Sequence, residues 1–148
     1  MLLSPAASFQ PIVRQFFLRG MPAMLFPTRL TTNSYMRWMG IKDTPGDTVT
    51  RCLLDLFYLG AKYFRIHLET ARVLPDVFSD DELRALHVPV LLLIGDGEVI
   101  YDPAKALARA QALIPNFEGE LVPRSNHDMC GSQYRIVDVR VLDFLNNN

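Results

Sequence analysis

Residues Val88 to Ile94 form a nearly continuous apolar run, broken only by Pro89 at its start. A strand with one wet face alternates apolar and polar side chains, so an unbroken run asks for a strand covered on both faces, the situation inside a parallel sheet flanked by helices. The neighbouring sequence supplies those helices. Ser79, with Glu82 three residues later, makes a capping box for a short helix ending at Leu86. Downstream, Asp102 followed by Pro103 gives an N-cap and a first-turn proline, and Ala104 to Leu113 forms an Ala-rich helix stopped by Pro115. Glu118 to Val122 is a second strand, and Tyr134 to Leu145 a closing amphipathic helix with Ile136, Val137, Val141, Leu142, Phe144 and Leu145 facing inward. Strand, helix, strand, helix is the order a parallel pair needs, because parallel neighbours are joined by a right-handed crossover. The fold class is therefore α/β.

The preceding residues have another texture. Residues 6–76 are aromatic and helical in pattern, against strand-helix-strand-helix for 77–148, and the 148 residues together are read as one domain. Phe9, Ile12, Val13, Phe16 and Phe17 fall at helical spacing and stop at Gly20, which suits a helix C-terminal cap. A second helical stretch runs from Asn33 to Trp38 and ends by Gly40. After the Pro45-Gly46 turn, Asp47 or Thr48 caps a longer helix whose Val49, Cys52, Leu53, Leu56, Phe57, Leu59 and Phe64 give it a wide apolar face. This predicts a helical layer with no strand of its own. Its aromatic residues and Met21, Met24, Met36 and Met39 suit either core packing or a lid lining an apolar substrate pocket, since unbranched Met adapts to irregular shapes.

Composition removes several classes. A formal charge of −1 leaves no broad positive field to meet a phosphate backbone, so no nucleic-acid partner is expected. The longest apolar runs are too short to span a bilayer, so no membrane partner is expected. Met1 to Pro5 lacks a basic n-region and does not resemble a secretory signal, which leaves the cytoplasm as the default location. Cys52 and Cys130 stand 78 positions apart with no C-x-x-C and read as two free thiols. Asp96, Glu98 and Asp102 lie within seven residues, but no D-x-D-x-D-G loop exists, so neither a metal nor any other cofactor is expected.

Two stretches carry a family resemblance: VFSDDELRALHVPVLLLIGDGEVIYDP from Val77, and IPNFEGELVPRSNHDM with VDVRVLDFL from Ile114. Both resemble the C-terminal end of carboxylesterase-like α/β-hydrolases, and LLSPAASF from Leu2 resembles the stretch that follows the sheet strand after the nucleophile elbow. The resemblance implies a partial α/β-hydrolase fold: the end of one strand, a helical cap, and the last two strands with their helices. That family orders its triad as Ser, then Asp or Glu, then His, with the serine in a G-x-S-x-G elbow. Ser4, Ser8, Ser34, Ser79, Ser125 and Ser132 are the six serines, and none has glycines two places away on both sides.

Carried over by position, the family's acid falls three residues after the glycine that ends the penultimate strand, which makes it Glu98 after Gly95. Asp96 and Asp102 compete for that role, although Asp96 reads as a solvated turn residue and Asp102 as an N-cap. His127 stands where the family places its general base, with Ser125 and Asn126 before it in place of the usual small residues. An acid at Glu98 would fix the imidazole tautomer and stabilise the imidazolium formed on taking the serine proton. His87 reads as a residue at the start of a strand, His67 as a surface or cap residue, and Cys130 lacks the surroundings a nucleophilic thiolate needs. The resemblance implies a small-molecule ester as substrate of the complete protein, and no turnover by these 148 residues without a nucleophile. The other reading is a non-catalytic α/β remnant that binds a protein partner or an apolar ligand through its helical layer. Two apolar parallel strands without earlier neighbours would leave an edge that a dimer or partner chain covers.

Overall fold

In a computed structural model, residues 1–42, 47–64 and 75–148 are described. They fall into two compact units, Met1–Ile12 with Pro75–Asn148, and Val13–Leu74. In chain order the elements are β1 (Leu2–Leu3), α1 (Arg14–Leu25), α2 (Arg29–Trp38), α3 (Thr48–Tyr63), α4 (Asp80–Arg84), β2 (Val90–Gly95), α5 (Pro103–Leu113), β3 (Phe117–Val122), α6 (Met129–Ser132) and α7 (Tyr134–Asn147).

The first unit is built on a parallel sheet of order β1-β2-β3. The apolar run is its middle strand, and Leu91, Leu92, Leu93 and Ile94 are fully buried. The strand starts at Val90 rather than Val88, because Pro89 has no N–H to give a ladder; Val90 N–H instead donates to Asn116 O at 2.9 Å. Side-chain alternation sends Leu91 and Leu93 to one face, where they meet Val122, Met129, Val137 and Phe144. On the other face, a methyl added at Gly119, the β3 partner of Leu92, would lie 2.9 Å from Leu107 of α5. Ala106 and Ala110 of α5 are fully buried, small enough to let this helix lie close to the strands.

The strand β1 is the strand end that the resemblance implies before the helical stretch, and it gives the two apolar strands the earlier neighbour that the two-strand reading leaves out: Leu2 and Leu3 pair with Leu92 and Leu93, and Ser4 N–H donates to Leu93 O at 2.8 Å. A two-residue strand is too short to show any periodicity. On α7, Val137 and Phe144 are buried with Ile136 and Val141 beside them, but Leu142 and Leu145 are 59% and 58% exposed. The buried stripe is set by positions 137, 141 and 144, and residues one step along lie about 100° away. The turn α6, whose Met129 is fully buried, has no signature longer than its four residues.

Within the helical unit, Val13–Leu74, the helix boundaries differ from those the spacing suggests. Phe9 belongs to the sheet unit, where it is 2% exposed, and α1 runs through Gly20 and Pro22 to Leu25. Gly20 is a packing residue instead of a cap: a Cβ there would meet the Tyr35 ring at 3.4 Å. The Phe16 ring of α1 meets Phe17 along the same helix and Tyr35 of α2, and Tyr35 in turn meets Trp38. The helix α2 starts at Arg29, earlier than Asn33, because Thr28 and Thr31 form a capping box in which threonine replaces the usual Glu or Gln. Asp47 caps α3, accepting from Val49 N–H and Thr50 N–H. Its expected apolar face is not buried among the described residues: only Leu54 is, whereas Val49, Leu53, Leu56, Phe57, Leu59 and Phe64 are exposed, as are Met21 and Met24 of α1. His67 lies outside the described residues.

Within the sheet unit, Arg109 of α5 ties together the two segments that flank the helical unit. Its guanidinium donates to Phe9 O (2.9 Å), to Phe78 O (2.7 Å) and to Asp80 Oδ1 (2.6 Å), while Phe78 N–H donates to Ser8 O (3.1 Å). An alanine at 109 leaves the Phe9 and Phe78 carbonyls without this donor, while Asp80 keeps its ion pair with Arg84. We expect Arg109→Ala to lower the unfolding free energy by about 2 kcal/mol, read as a shift in urea midpoint at unchanged slope.

Candidate functional site

Parallel register brings the C-terminal ends of β2 and β3 together, Gly95 opposite Val122, so the turns that leave them run side by side. Their approach is very close. A Cβ on Gly95 would stand 2.4 Å from Asn126 O and 2.6 Å from Ser125 O, and one on Gly97 would stand 2.4 Å from the Asn126 side-chain amide. Glycine is therefore required at Gly95 for steric reasons. The turn closes when Glu98 N–H donates to Gly95 O at 3.1 Å.

Glu98 is the buried member of this turn, its side chain 0% exposed. Burying a carboxylate is costly unless hydrogen bonds replace its water. Oε1 accepts from Val99 N–H at 2.8 Å and Ile100 N–H at 2.9 Å. Oε2 lies 2.9 Å from His127 Nδ1. An ionised carboxylate only accepts, so Nδ1 is the donor of this bond, and in the neutral imidazole that leaves the lone pair on Nε2. The imidazole is 31% exposed, open enough for Nε2 chemistry. Such a pair fixes one tautomer and can take a proton at Nε2, with the carboxylate stabilising the resulting imidazolium.

The other carboxylates do different work. Asp102 caps α5, accepting from Lys105 N–H at 3.1 Å, and its carboxyl is held below the usual range by the Lys105 amide and ammonium. Asp96 is exposed, yet its Oδ1 accepts from Ser125 N–H at 3.2 Å, a link the reading as a purely solvated residue misses. No acidic residue between Asp128 and Gln133 other than Asp128 itself is present, and that segment becomes α6. His87 is exposed, and its carbonyl accepts from Asn116 Nδ2 at 2.8 Å.

Cys130 makes a poor nucleophile, since burial and the charges of Asp138 and Asp128 push its thiol up and disfavour thiolate. Both cysteines are free. Among the described residues no serine is hydrogen-bonded to His127, and no group of three His, Cys, Asp or Glu is placed to hold a metal ion. No described helix is long and apolar enough to cross a membrane.

Sequence reasoning gave no sign of two buried residues beside this turn. Tyr101 is 3% exposed, and burial together with the Glu98 charge pushes its phenol up, keeping it neutral. Ser4 adopts a left-handed φ of 40° and turns its Oγ toward Gly95 N–H, 3.5 Å away. The Ser4 position is set by pairing 91 residues distant in sequence, which no local pattern encodes.

No family model matches the chain. It is 32% identical, over 98% of its length, to an uncharacterized carboxylesterase, nap, of Bacillus subtilis, covering 47% of that protein. Over 71 residues it is 41% identical to carboxylesterase YbfK of the same organism. The crystal structure of naproxen esterase (carboxylesterase NP) from Bacillus subtilis superposes with a TM-score of 0.82 at 30% identity, over 97% of this chain and 49% of that one. The chain thus spans about half the length of these carboxylesterases.

The Gly95 contact gives a direct check. A Gly95→Ala methyl meets backbone oxygens that cannot swing aside, so the two turns must part. The expected cost is about 2 kcal/mol of stability in urea unfolding, with the His127–Glu98 hydrogen bond lost from the ring spectrum in NMR.

Proposed function

Because this chain belongs to the carboxylesterase-like α/β-hydrolases, we propose that it carries the acid and base of a serine hydrolase that cleaves carboxylic esters through an acyl-enzyme. The observation supporting this most strongly is the hydrogen bond of 2.9 Å between His127 Nδ1 and the fully buried Glu98 carboxylate. His127 Nε2 takes the proton of a serine hydroxyl as its oxygen attacks the ester carbonyl. The imidazolium then returns that proton to the departing alcohol, leaving an acyl-serine. Water enters, gives its proton to Nε2, and releases the carboxylic acid while the serine regains its hydrogen. Glu98 holds the ring throughout. The serine and part of its oxyanion hole come from outside these 148 residues, so the chain by itself is expected to show no esterase turnover.

A second reading has one observation in its favour. Phe26, Leu30, Val49, Leu56 and Phe64 of the helical unit are exposed, a surface that an apolar ligand or protein partner could cover. In that reading the unit binds without chemistry.

The two separate when this chain replaces the matching stretch of the Bacillus subtilis carboxylesterase and p-nitrophenyl ester hydrolysis is followed. The expectation is an active chimaera in which His127→Ala and Glu98→Gln each lower kcat by roughly 10²–10⁴-fold. An active chimaera indifferent to His127→Ala would remove His127 from the mechanism. Turnover by the 148-residue chain alone, lost in the same variant, would show that no outside serine is needed.

A further inference from the structure

We propose that Asp96 is a positioning residue whose carboxylate holds the loop carrying His127 against the turn carrying Glu98, and so keeps Nδ1 on its acceptor. This rests on the reading of Glu98 and His127 as acid and base. Glu98 is fixed from its own side by two amide donors and full burial. His127 is not: it rides on a connecting segment after β3 that turns through Arg124, a non-glycine residue with a left-handed φ of 57°. Segments of that kind are the mobile part of a fold unless tied down. The placement of the base therefore depends on what ties this loop.

Besides the His127–Glu98 bond itself, four links join the turn to the loop and to the end of β3 that leads into it. Two are backbone bonds, Asp96 N–H to Val122 O at 3.0 Å and Gly97 N–H to Ser125 O at 2.9 Å. The other two use side chains. Asp96 Oδ1 accepts from Ser125 N–H at 3.2 Å, and Asn126, with its amide nitrogen facing inward, donates to Gly97 O at 3.1 Å. Asp96 thus holds both sides of the left-handed turn at Arg124, the end of β3 through its own N–H at Val122 and the loop through its carboxylate at Ser125. What it grips is firm: Ser125 is 3% exposed and its hydroxyl donates to Val122 O at 2.8 Å. Of the two side-chain links, the one with an ionised acceptor is the stronger. Nothing else among the described contacts occupies the Asp96 carboxylate, although the residue is exposed.

The test uses the 148-residue chain with ¹⁵N-labelled histidine and follows solvent exchange of the His127 Nδ1 proton by NMR. Asp96→Ala should speed that exchange by about tenfold or more, while amide exchange along Leu91 to Ile94 stays at the wild-type rate. Asp96→Asn keeps a neutral acceptor for Ser125 N–H and should restore most of the protection. Three results overturn the proposal: equal Nδ1 exchange in the wild type and Asp96→Ala, a loss shared by the β2 amides, or no rescue by Asn. An inactive chimaera would leave this readout unchanged, so the catalytic reading and the positioning role fail separately.

Discussion

A carboxylate taken wholly out of water must find donors in the protein or give up its charge, and Glu98 is such a group. Its donors are two successive amides of its own turn and one imidazole N–H from 29 residues away. Meeting that third requirement governs the surrounding structure. The His127 loop must lie within hydrogen-bond range of the turn, which demands glycine at Gly95 and stitches the two segments through Asp96, Gly97, Ser125 and Asn126. A polar cluster of this kind is tolerable because almost every member is satisfied.

The sheet is what lets the two turns meet. Because β2 and β3 are parallel and in register from Val90–Phe117 to Gly95–Val122, both end at the same edge of the sheet. In open α/β sheets that carboxyl edge is where ligands and chemistry gather. Helices on both faces keep the apolar middle strand dry: α7 over Leu91 and Leu93, α5 over the face of Leu92 and Gly119. The site thus hangs from the most buried element of the chain, which gives its backbone little freedom to drift.

Legibility followed the range of each interaction. The middle strand, the Ser79 capping box, the Asp47 cap and the Asp102–Pro103 helix start are encoded within four or five residues, and each is found where the sequence puts it, to within two positions for the strand. Glu98 and His127 stood out through their spacing from Gly95 and from the end of β3, once the family resemblance supplied the frame. What the sequence hid is long-range or sterically subtle. The strand β1 is two residues that no periodicity marks; only the resemblance of LLSPAASF points to a strand end there, and it matters because Leu92 and Leu93 lie beside it. Gly20 looks like a helix stop and is a contact with Tyr35; Asp96 looks like a solvated turn residue and binds a backbone amide 29 positions on. The exposed apolar face of α3 shows the opposite error, since periodicity tells which residues share a face and not what covers them.

The role of this pair depends on Glu98 setting the tautomer of His127. Ring ¹⁵N NMR of the 148-residue chain above the histidine titration reads this directly, since protonated and bare imidazole nitrogens resonate far apart. The prediction is a single tautomer with the proton on Nδ1 and a bare Nε2, reverting toward a mixture in Glu98→Gln. A wild-type ring protonated at Nε2, or averaged between the two forms, would contradict it.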